Sequence, residues 1–195
     1  MVGRPRQFDP DQALEAAMHA FWAKGYEATS LADLMSATGL HKGSLYQAFG
    51  DKHSLFLASL RRYLDDMHRE MSGIARSAET PRAALHALAH TAVNKINTDC
   101  GCPMGCLAIN SLVEMAPHDE EVRDMLSDHL ERMTTQISQL VAAGQAAGEF
   151  SDRHSPTVVT EMMTTFLSGL GCELKGPLSK ERAHELIDLQ FEMLI

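Results

Sequence analysis

The sequence predicts an all-α protein of about nine helices, on three observations. Apolar residues recur at three- and four-residue spacing along almost the whole chain, and no stretch alternates as a strand would. Helix-start patterns (Asp9-Pro10, Thr80-Pro81, Ser155-Pro156) stand before those periodic runs, and glycines or prolines punctuate them. The 195 residues are 45% hydrophobic and 22% charged, enough for one good core or two small cooperating domains.

Each element follows in order. Asp9-Pro10-Asp11-Gln12 opens the first helix, with Gln12 closing a capping box, and Leu14, Ala17, Met18, Phe21 and Trp22 form its inward face up to Gly25. Ser30 and Asp33 cap a short second helix burying Leu31, Leu34 and Met35, which Gly39 ends. A third spans about Lys42–Phe49, and Gly50-Asp51 starts a fourth, about 51–72, that buries Leu55, Phe56, Leu60, Tyr63 and Leu64. Beyond Gly73, Thr80-Pro81 caps a fifth burying Leu85, Leu88, Ala92 and Ile96. Pro103 suits a first helical position, making Cys102 the N-cap and Cys106 a first-turn residue of a sixth helix that stops near Pro117. Asp119-Glu120-Glu121 places acids at the start of a long seventh helix to about Ala146. Ser155 and Ser179 cap the eighth and ninth.

The net charge of −9 is unevenly spread. Residues 1–63 carry seven Lys/Arg against six Asp/Glu, and the remainder ten against twenty, so only the head approaches a polyanion without heavy repulsion. The N-terminus lacks the apolar run of a signal peptide, and no stretch is long enough for a membrane span, which leads us to expect a cytoplasmic protein with reduced thiols.

The second and third helices, joined at Thr38-Gly39-Leu40, read as a helix-turn-helix that sets its second helix in a DNA major groove. With Leu45 and Phe49 inward, His41, Lys42, Gly43, Ser44 and Gln47 are left to face bases. Tyr46, Lys52 and Thr29 are placed to reach phosphates, and Arg4 and Arg6 lie on an arm suited to a minor groove. The run GYEATSLADLMSATGLHKGSLYQAFGDKHSLF resembles the DNA-binding signature of the TetR family of bacterial repressors. It carries the Gly25-Tyr26 pair, the Thr29-Ser30 cap, Gly43-Ser44-Leu45-Tyr46 with Phe49, and Lys52. His41 stands where relatives often have Ser or Asn, and Thr38 where they often have Ala.

The resemblance implies residues 1–50 as a DNA-binding domain, helix four as connector, and 73–195 as a domain that binds a small-molecule effector and dimerises through its last two helices. It thereby implies a homodimer on a roughly palindromic double-stranded operator, released by its effector or by thiol-reactive stress. Val159, Met163, Phe166, Leu170, Leu186 and Phe191 are the expected interface, and Ser168, Gly169 and Gly171 are small enough to admit a partner helix. Met104, Met115, Met125, Met133, Met162 and Met163 are candidates for a pocket lining, or simply core. His86 and His90, four apart, share a helix face, but without a third ligand nearby in sequence they define no metal site. No motif calls for a cofactor.

Three of the four cysteines fall within seven positions, in DCGCPMGC. Cys100, Cys102 and Cys106 admit three readings: inert small residues, a thiol switch in which Cys106 reacts first, or soft ligands for Cu(I). A thiol-dependent enzyme using Cys106 is the alternative to a regulator. Against it stand the missing Gly-rich cofactor loop and the missing thioredoxin-like CxxC.

Overall fold

Local capping chemistry decides where the helices start. A computed structural model describes residues 8–96 and 104–194, within which lie nine helices and no strand. They are α1 (Pro10–Lys24), α2 (Leu31–Thr38), α3 (Lys42–Phe49), α4 (Lys52–Ser77), α5 (Pro81–Asn94), α6 (Leu107–Glu114), α7 (Glu120–Ala146), α8 (Pro156–Glu173) and α9 (Lys180–Met193). Asp9, Ser30, Asp51, Thr80, Asp119, Ser155 and Ser179 each accept a backbone N–H of the helix they precede, a bond worth about 1 kcal/mol per cap. Ser30 and Asp33 form the reciprocal box, whereas Asp9 accepts from Asp11 and no bond closes a box through Gln12.

Two apolar clusters result. The first joins the head to the body: Phe21, Leu34, Leu45, Phe56 and Leu60 pack with Leu107, Val122 and Leu126. The second holds the body together through Leu85, Val93, Ile137, Val141, Met163, Ile187 and Phe191. The long helices α4 and α7 run past both.

Several expectations need correction. Gly73 does not end α4, which continues to Ser77; a Cβ at Gly73 would meet nothing, and a half-buried helical glycine costs a little stability without breaking the helix. In α5 the buried face is Ala84, Leu85, Ala89 and Val93, and Ala92 is exposed, because small alanines let the helix rotate toward α7 and α9. Cys106 is the N-cap of α6 rather than a first-turn residue, and Gly105, at φ 64°, makes the turn that precedes it. The expected N-cap Cys102 lies outside the described residues, as do Cys100, Arg4 and Arg6.

The largest correction concerns α8 and α9. Val159, Met163, Leu170 and Phe191 are buried in the protomer's own core, and Phe166 and Leu186 are half-buried against it. The four buried side chains are turned into the core, while Phe166 and Leu186 keep part of their surface exposed. Gly171 likewise serves the protomer: a Cβ there would sit 3.0 Å from Ile109 Cδ1, so glycine lets α8 approach α6. The exposed apolar residues of these helices are instead Val158, Met162, Leu189 and Met193. Gly169 lies on the open side of α8, with nothing near an added Cβ.

Candidate nucleic-acid interface

Gly39, in the left-handed region at φ 68°, turns α2 into α3. Leu34 and Leu45, both fully buried, lock the two helices against α1 and α4. This leaves His41, Lys42, Gly43, Ser44 and Gln47 exposed on one face of α3 and around its N-terminus. A Cβ on Gly43 would meet no protomer atom, so internal packing does not demand glycine there. His41 is the N-cap but makes no side-chain capping bond, which leaves first-turn N–H groups of α3 facing outward.

Tyr46 is half-buried with the Lys42 ammonium 5.8 Å from its ring centre. Lys52 lies over the Tyr26 ring at 4.4 Å and donates to the Glu27 carbonyl at 3.5 Å, so its charge is held at the edge of the head. Thr29 departs from expectation. It is fully buried, and its hydroxyl donates to the Gly25 carbonyl at 2.6 Å, pinning the end of α1. A short side chain with its hydroxyl turned inward does not reach a phosphate. Lys24 and Ser30 donate to Asp33, which holds that carboxyl well below the usual carboxylate range.

Four bonds tie the head to the body, and none was legible in local sequence because their partners lie 66 to 88 positions apart. The Trp22 indole N–H donates to the Gly105 carbonyl at 3.0 Å. Glu114 at the end of α6 accepts from the backbone N–H groups of Tyr26 and Glu27 at 3.0 and 2.9 Å. Gly25 admits that carboxylate, since a Cβ there would stand 2.7 Å from it. Finally, His53 on α4 meets Asp119, the N-cap of α7, at 2.6 Å.

Next to the first of these bonds the body holds a part-open cavity of about 210 Å³. Trp22, Tyr63, Met67, Met71, Met133 and Leu167 give it mostly apolar walls, and Gly105 and Cys106 line it at the head side. Of the methionines expected there, only Met133 lines it; Met163 is core and Met162 is exposed. Cys106 Sγ is 3.5 Å from the Tyr63 hydroxyl, and burial pushes that phenol well above its ordinary pKa, so it stays protonated. His129 also lines the cavity, with its Nδ1 3.0 Å from His68 Nε2. Burial, then the neighbouring His68 and Arg132, lower His129 to a pKa of about 4.

A helix-turn-helix head bonded to a helical body defines the class of DNA-binding regulators. The model for bacterial regulatory proteins of the tetR family matches residues 13–59, and that for the tetracyclin repressor-like C-terminal domain matches 81–176. The transcriptional repressor ComR of Escherichia coli K12 is 31% identical over 94% of this chain and 88% of its own length. The repressor BdcR of the same organism is 30% identical over 92% of this chain and 86% of its own length. A cysteine-substituted form of the regulator CifR, solved with a 26-base-pair operator duplex, superposes at a TM-score of 0.85 with 30% identity, covering 99% of this chain and 100% of that one. The chain belongs to the TetR family of DNA-binding transcriptional regulators and is not an enzyme. No helix among the described residues is long and apolar enough to cross a membrane.

Proposed function

We propose that the protein is a homodimeric repressor that a small, mostly apolar effector releases from a palindromic operator. The observation that carries this reading is the Trp22–Gly105 bond, which joins α1 of the head to a residue of the cavity wall. A ligand that displaces the Gly105–Cys106 segment acts on α1, and through it on the spacing of the two recognition helices. Two such helices related by a two-fold axis need to stand about 34–36 Å apart to enter successive major grooves. A shift of a few ångströms in that spacing costs affinity.

On DNA, Lys42, Ser44 and Gln47 face the bases, Gly43 lets the α3 backbone come close, and Tyr46 and Lys52 hold phosphates, with Arg4 and Arg6 in the minor groove. Gel-shift titration against the chain's own upstream DNA tests this. Affinity is expected to fall roughly 10³-fold between 50 and 200 mM salt. Lys52→Ala should weaken all sequences about equally, whereas Lys42→Ala should also change base preference. Binding that is insensitive to salt and to both substitutions would reject the assignment.

Thiol-reactive agents form a second effector class, favoured by Cys106 lying in the cavity wall at the N-cap of α6. Iodoacetamide is expected to weaken operator binding by the wild type and leave a Cys106→Ser protein bound. A Cys106→Ser protein that is released equally would remove Cys106 from the response, with Cys100 and Cys102 next to be tested.

A further inference from the structure

On the side of the body away from the head, α5 and α9 bring together side chains that lie about a hundred positions apart in the chain. His86 Nε2 is 2.8 Å from Asp188 Oδ1, His90 Nε2 is 3.0 Å from the same oxygen, and the two Nε2 atoms are 3.2 Å apart. These three atoms form a nearly equilateral triangle, and a point at its centre lies about 1.7 Å from each of them. A cation about 1.1 Å above their plane is therefore within bonding distance, about 2.0–2.1 Å, of all three. The separations themselves match ligand–ligand edges, which are about 2.9 Å around an octahedral ion and about 3.4 Å around a tetrahedral one.

A second, independent feature is the shell behind the triangle. Asn94 Oδ1 is 3.0 Å from His184 Nε2, and His184 Nδ1 is 2.6 Å from His90 Nδ1. An amide oxygen only accepts, so His184 donates from Nε2, and the lone pair on its Nδ1 accepts the Nδ1–H of His90. That chain of donors leaves the lone pair of a neutral His90 on Nε2, the atom at the triangle. Outer hydrogen bonding of this kind sets the tautomer and raises the basicity of a metal-bound imidazole. His86 is held differently, edge-on against the buried Phe191 ring with centroids 5.1 Å apart. The triangle opens to solvent, since the side chains of His86 and Asp188 are 43% and 54% exposed, which gives an entry path and room for water as further ligands.

We propose that His86, His90 and Asp188 form a binding site for a divalent first-row transition cation, with Zn²⁺ as the reference ion, that fastens α9 to α5. Two imidazoles and one carboxylate suit ions from Co²⁺ to Zn²⁺ better than Mg²⁺ or Ca²⁺, which prefer all-oxygen sets. At 100° per residue, Leu189 and Met193 lie about 100° and 140° around α9 from Asp188, so the site sits off that apolar face.

Calorimetric titration of the untagged full chain with Zn²⁺, paired with Co²⁺ absorption, tests the assignment. One ion per chain is expected, with a Co²⁺ spectrum free of thiolate charge transfer. His86→Gln and Asp188→Asn should each weaken binding at least about 100-fold, and His184→Gln about 10-fold. Zn²⁺ should raise the unfolding temperature of the wild type and not that of the Asp188→Asn protein. A protein with Cys100, Cys102 and Cys106 all changed to serine should bind as before. Absence of stoichiometric binding, loss of binding in the serine protein, or full affinity in a folded Asp188→Asn protein would each overturn the site.

Discussion

A protein carrying both Met162→Glu and Leu189→Glu is expected to fold, to sediment as a monomer near 21.4 kDa, and to bind a palindromic operator at least about 100-fold more weakly. Met162 and Leu189 are 44% and 51% exposed; Val158, Met162 and Gly169 share one face of α8, and Leu189 and Met193 one face of α9. Exposed apolar residues repeated along one face of a helix are a surface that another protein covers. In a two-fold dimer each substitution counts twice, so four carboxylates would enter one interface. Each would lose about 1.5–3 kcal/mol of side-chain burial and add repulsion. Losing the dimer removes the gain from engaging two half-sites at once. Phe191→Glu provides the contrast. That ring is 1% exposed inside the protomer core, so a charge there should prevent folding rather than yield a soluble monomer. Sedimentation and circular dichroism on the two proteins separate the cases. A folded dimer in the double variant would place the partner surface elsewhere.

Stability is expected to fall by on the order of 2 kcal/mol between pH 7 and pH 5 through His129. Its side chain is buried between α4 and α7, and burial with the neighbouring His68 and Arg132 lowers its pKa from 6.5 to about 4. In that window the unfolded chain binds a proton at this histidine that the folded chain refuses, so acid favours unfolding. The loss sets in below pH 6.5 and is complete near pH 4. His68 is lowered by burial as well and acts in the same direction. Urea unfolding as a function of pH measures the effect. His129→Gln should flatten the profile above pH 5, because a neutral amide carries no proton through the range. An unchanged slope in that variant would move the acid sensitivity to other groups.

The boundaries of the helices were largely legible in the sequence because capping is local. Asp51, Thr80, Asp119, Ser155 and Ser179 act on N–H groups three positions away, and α3 covers the span its apolar spacing predicts. The recognition face was legible for the same reason: once Leu45 is inward, a helix of 3.6 residues per turn leaves Lys42, Ser44 and Gln47 outward. Thr29 fails at this level because a hydroxyl can satisfy itself on a nearby carbonyl, and sequence does not say whether it will.

By itself, then, the chain determined its helical class, its helix starts, the turn at Gly39 and the exposed residues of α3, all of which depend on neighbours within a turn or two. The tertiary structure decided what depends on distant partners. Helices α8 and α9 each carry two apolar faces, and periodicity does not tell which one the protomer buries; packing against α5 and α7 consumes Met163, Leu170 and Phe191 and leaves Met162 and Leu189 outside. The cavity, the Trp22–Gly105 bond and the grip of Glu114 on the head each join residues more than 80 positions apart or several helices at once. His86 and His90 look like an ordinary solvated pair until α9, 98 positions beyond His90, brings Asp188 to within 3.0 Å of both. Short-range chemistry writes the helices, and long-range packing chooses which of their faces meet.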